Sequence, residues 1–78
     1  MERIKLIWDF RGPTAIPTAK HHVIHLKEFV KAEGLQHTIC DIQKVSEMNC
    51  SAYLVVEKEH MDRLREQLKP HRGQVFSD

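Results

Sequence analysis

The sequence predicts an α+β domain, in which a four-stranded antiparallel sheet carries two helices on one face. Three observations carry the prediction. Four segments are alternating or apolar over strand lengths. Two others repeat their apolar residues at helical spacing. Their order along the chain is strand, helix, strand, strand, helix, strand.

The first strand is "RIKLIWDF", residues 3–10. Ile4, Leu6, Trp8 and Phe10 fall on one face, and Arg3, Lys5, Ile7 and Asp9 on the other. "RGPTAIP" breaks the pattern with a glycine and two prolines. The first helix runs from about Thr14 or Pro17 through Glu33, because proline is tolerated only in a first turn. Gly34 closes it as a left-handed cap. "QHTICDIQKV" reads as the second strand, "SEMN" as a turn and "CSAYLVVE" as the third strand, which makes a hairpin. "KEHMDRLREQLK" is the second helix, with Met61, Leu64 and Leu68 on one stripe and Pro70 as its stop. "RGQVFSD" ends the chain as a short strand carrying Val75 and Phe76.

With right-handed crossovers this order gives the ferredoxin-like βαββαβ arrangement, as a single domain over residues 1–78. Many unrelated functions use that arrangement, so it names no activity.

Composition narrows the classes. At 78 residues, 41% hydrophobic and 29% charged, the chain is neither disordered nor membrane-spanning, and its core is small. The longest apolar run is "YLVV". "MERIKLIWDF" has no apolar stretch of signal-peptide length, so the expected location is cytoplasmic and the two cysteines, Cys40 and Cys50, are expected reduced. A net charge of +1 with interspersed signs argues against a nucleic-acid partner. Tyr53 is the one ring where an RNA-binding sheet of this topology needs several.

Six histidines stand out, three of them in "HHVIH". At about 100° per residue, Ala19, Val23, Leu26 and Val30 form the sheet-facing stripe of the first helix. His22 lies at its edge, while His21, His25 and Glu28 share the outward side. A His-x-x-x-His pair suits a zinc ion, with Glu28 as a further oxygen. The metalloprotease pattern needs Glu after the first histidine, and that position is His22. The ordinary reading is a solvated helix face with no cofactor, zinc being the competing one. For His22 the ordinary reading is a hydrogen bond to a backbone carbonyl or to Asp9.

Two other places invite a ligand. Around "DFRGPT", Asp9, Arg11, Gly12, Thr14 and the neighbouring His22 form a candidate site for a small anionic ligand. There Arg11 would fork the anion at a helix N-terminus. No Walker or GxGxxG pattern accompanies it. The helix-free sheet face should present Ile7, Tyr53 and Val55, with Ile39 or Ile42, as an apolar patch. Two such faces stacked together give a homodimer. The functional expectation is a binding or interaction module, homodimeric through that face and holding a small anion near Arg11. The alternative is a small enzyme or metal-binding protein using Asp9, Arg11 and the helical histidines.

Overall fold

A computed structural model describes residues 2–77 of the chain. The elements are β1 (Arg3–Arg11), α1 (Ala15–Glu33), β2 (Ile39–Ser46), β3 (Asn49–Glu57), a 3-10 turn at Lys58–His60 leading into α2 (Met61–Leu68), and β4 (Arg72–Phe76). Asp78, the last residue of the expected final strand, lies outside the described residues.

The sheet order is β2-β3-β1-β4, and every neighbouring pair is antiparallel. β1 and β2 are therefore parallel to each other with β3 between them, and β3 and β4 are parallel with β1 between them. Ile4, Leu6 and Trp8 of β1 share one buried cluster with Leu54 and Val56 of β3, Leu26 of α1 and Leu64 of α2. Both helices thus cover the same face. A second cluster sets Ala15, Ala19 and Val23 of α1 against Cys50 and Ala52 of β3. Small side chains on both sides of that contact let the helix approach the sheet closely.

The helix ends follow local chemistry. α1 starts after Thr14, with Pro17 in its first turn, but the Thr14 side chain makes no capping hydrogen bond. At the other end Gly34 adopts φ 66°. The Leu35 N–H then reaches Val30 O at 3.1 Å and the Gly34 N–H reaches Lys31 O at 3.3 Å, a Schellman ending. α2 ends at Lys69 in the left-handed region, with Pro70 behind it. The Trp8 indole donates to Leu68 O at 3.1 Å and ties that end to the sheet.

Two boundaries differ from the sequence reading, and one open choice is resolved. Lys58–His60 form a separate 3-10 turn ahead of α2. Ser46 pairs with Asn49, so the β2–β3 hairpin turns on Glu47 and Met48 alone, with a bulge between Lys44 and Ser46. Of the two isoleucines offered for the open face, Ile39 lies there and Ile42 packs on the α1 side. Among the described residues no helix is long and apolar enough to cross a membrane.

Candidate functional site

Ile7, Tyr53 and Val55 do alternate onto the face opposite the helices. Much of the expected apolar patch is nevertheless covered, with Ile39 left 38% exposed. Val55 is 0% and Ile7 4% exposed, and Tyr53 is half-buried. Lys5 of β1 extends across β3 to donate to Gln43 Oε1 of β2 at 3.3 Å, and its Nζ stands 4.3 Å from the Tyr53 ring centroid. Arg3 lies over Phe76 at 5.0 Å. The long cations keep their heads in water while their stems cover apolar surface.

At one end of this face Asp9 gathers three partners. Arg72 Nε and Nη2 donate to its two carboxylate oxygens at 2.9 and 3.2 Å, and Ser51 Oγ donates to Oδ1 at 2.7 Å. The Asp9 N–H donates to His71 Nδ1 at 2.8 Å. The Arg72 hydrogen bonds hold the Asp9 carboxyl below its ordinary range against the opposing pull of burial, and Ser51 helps. This is a clasp of β4 onto β1 and β3. His71 meets the Asp9 backbone rather than its carboxylate, so no relay from serine through histidine to aspartate exists here. Asp9 and His22 lie on opposite sides of the sheet and line no common cleft.

The turn after β1 commits two of its amides within the protein. The Gly12 N–H is already bonded to Met48 O at 2.8 Å, and the Ala15 N–H to Gly12 O at 3.1 Å. Pro13 and Pro17 have none. Arg11 is exposed beside that turn.

The histidines of α1 divide as their spacing predicts. The His22 ring stands 4.8 Å from the Trp8 ring and 5.7 Å from that of Phe10. Among the described residues neither expected partner is present, since its buried Nε2 has no hydrogen bond and Asp9 is engaged elsewhere. Burial, followed by the neighbouring His25, His71 and His21, pushes the His22 pKa down. On the outward face, His21 Nε2 and His25 Nε2 converge to 3.0 Å, and His25 Nδ1 faces Glu28 Oε1 at 3.4 Å. Glu28 therefore meets the nitrogen turned away from the pair. Among the described residues no three histidine, cysteine or acidic groups converge on one metal position.

The two edges of the sheet are treated differently. On β2 the bulge breaks the ladder, and Asp41 Oδ1 takes the Ile42 N–H at 2.8 Å. Such devices blunt an edge against pairing. β4 carries neither device, and Arg72 through Val75 are all exposed. Val75 is 73% exposed although it points to the helix side, opposite Ile4. Between β4 and α2 runs a groove of about 330 Å³, with Ile4 and Leu6 as floor, Gly73 and Val75 on one side, and Met61 and Arg65 on the other. Sequence reasoning missed this edge. Its signal was the short "RGQVF" itself, with a glycine two residues before a valine.

No family model, curated protein or solved structure matches the chain.

Proposed function

We propose that the chain is a non-enzymatic interaction module of the ferredoxin-like class that pairs with a second copy of itself along β4. The fold assignment is supported by the element order and by the two pairs of parallel strands, each with a third strand between. The observation that carries the pairing is the self-complementarity of the β4 edge. Gly73 and Val75 both point to the helix side. A two-fold axis through Gln74 sets each Val75 opposite the other copy's Gly73 and each Arg72 opposite the other copy's Phe76. The valine then covers floor that the glycine leaves bare, while the edge amides and carbonyls find partners.

The contact sits at the edge because Lys5 and Arg3 cover much of the open face. A five-residue edge pair is a small interface, so the dimer is weak and concentration-dependent. Sedimentation velocity over a concentration series tests it. Val75 is 73% exposed, so Val75→Lys leaves the monomer's core intact while setting a charge into the pairing edge. The expected result is a rising mass for the wild type and a constant monomer mass for Val75→Lys. A wild type that stays monomeric at millimolar concentration, or a Val75→Lys variant that still dimerises, overturns the reading.

A further inference from the structure

We infer that His21 and His25 form a two-imidazole site for a borderline divalent cation of the Zn²⁺ type, with Glu28 orienting the site rather than ligating. Two nitrogens bound to one tetrahedral ion at 2.0–2.1 Å stand about 3.3 Å apart. The two Nε2 atoms are 3.0 Å apart, so the rings need open by only a few tenths of an ångström.

The proton arrangement also suits a metal. Two nitrogens at that distance share one proton. When His21 Nε2–H donates, His25 accepts through its Nε2 lone pair and carries its own proton on Nδ1. That Nδ1–H faces the Glu28 carboxylate at 3.4 Å. A carboxylate behind the far nitrogen of a ligating histidine fixes its tautomer and raises its basicity. On binding, His21 moves its own proton to Nδ1 and both Nε2 lone pairs turn to the ion.

The backbone beneath the pair is well anchored. Ala19, Val23 and Leu26, on the opposite face of α1, are buried in the core, so positions 21 and 25 keep a fixed spacing. His25 and Glu28 are 61% and 70% exposed at the side chain, which leaves the remaining coordination positions open to water or to a donor on another molecule. Neutral imidazole donors suit Zn²⁺, Cu²⁺ or Ni²⁺ and disfavour Ca²⁺ and Mg²⁺.

The test titrates untagged full-length chain with zinc chloride at about pH 7.5, where free imidazole is mostly neutral. Calorimetry gives the affinity, and ¹⁵N spectra of the imidazole nitrogens give the site. His21→Ala and His25→Ala should each weaken binding about 100-fold, as expected when the second ligand's effective concentration is lost. Glu28→Gln should weaken it by about tenfold. The Nε2 resonances of His21 and His25 should move on binding while His25 Nδ1 stays protonated. Circular dichroism should show all three variants folded, since these side chains are exposed. If His21→Ala binds zinc as tightly as the wild type, or if His60→Ala or His71→Ala is the change that abolishes binding, the site is elsewhere and the inference fails. If Glu28→Gln leaves the affinity unchanged, the orienting role of Glu28 is wrong.

Discussion

Leu64→Ala gives a sharp test of how α2 is held. At eight residues α2 is shorter than the roughly 12–15 an isolated helix needs, so tertiary packing must maintain it. Leu64 is its buried residue, at 0% exposure among Ile4, Leu6 and Leu26, with Met61 and Leu68 half-buried beside it. Truncating a buried leucine to alanine costs about 2–5 kcal/mol, depending on how far the site collapses. A short helix tethered at one end by the Trp8–Leu68 bond can settle toward the sheet, so about 2–3 kcal/mol is expected. Leu54, also at 0% exposure, sits on a strand paired on both sides, where no such settling is open. Its replacement by alanine should cost about 3–5 kcal/mol. For a domain of this size each kcal/mol lowers Tm by roughly 4–8 °C. The fluorescence of Trp8, the sole tryptophan, reads the urea and thermal transitions directly beneath α2. A Leu64→Ala loss equal to or larger than that of Leu54→Ala would refute the settling argument. A loss under about 1 kcal/mol would refute the packing argument itself.

Two further outcomes follow from the titrating groups. Folded His22 titrates below its ordinary value of 6.5 because partial burial, and then the nearby His25, His71 and His21, disfavour its charged form. Above that pH both states are neutral there and nothing is gained or lost. As the pH falls below it, the unfolded chain takes up a proton that the folded chain refuses, so stability declines until folded His22 also protonates. His22→Leu should flatten that acid-side decline in urea melts taken across the pH range, and an unchanged slope would exclude His22 as its source. Burial pushes the Cys40 thiol up to about 11. A disulfide reagent at neutral pH should therefore modify it far more slowly than in the denatured chain, and equal rates in the two states would contradict the burial.

The legible features were those set by local period or by a single residue. Strand alternation placed Ile4, Leu6 and Trp8 inward, and helical spacing split His22 from His21 and His25. Gly34 announced its own left-handed cap. The illegible features depend on register between distant segments. Nothing near Lys5 in sequence says that it will reach Gln43 across an intervening strand, which turns an expected apolar patch into a largely covered one. The engagement of Gly12 depends on the β2–β3 hairpin tip folding back to it, and the clasp on Asp9 depends on Arg72, far along the chain. The bulge after Lys44 shortened the turn and hid which isoleucine faces outward.

The two proposed surfaces lie on separate parts of the molecule. α1 packs on β3, β2 and β1, with its histidine pair turned away from the sheet, whereas the pairing edge is β4 beside α2. Their shared material is the cluster in which Leu26 and Leu64 meet, and it is fully packed. Energetic coupling between sites requires an element with two arrangements that both sites bias, and a packed core of this kind supplies one arrangement. On the two proposals a cation at His21 and His25 would then bind monomer and dimer equally. It would stabilise both by the same mass-action term and leave their ratio untouched. That relation changes if a donor from another molecule fills the open coordination positions, because the ion would then bridge chains through α1 while β4 joins them through the sheet. With two different faces, each joining a further copy, assembly need not stop at a closed pair.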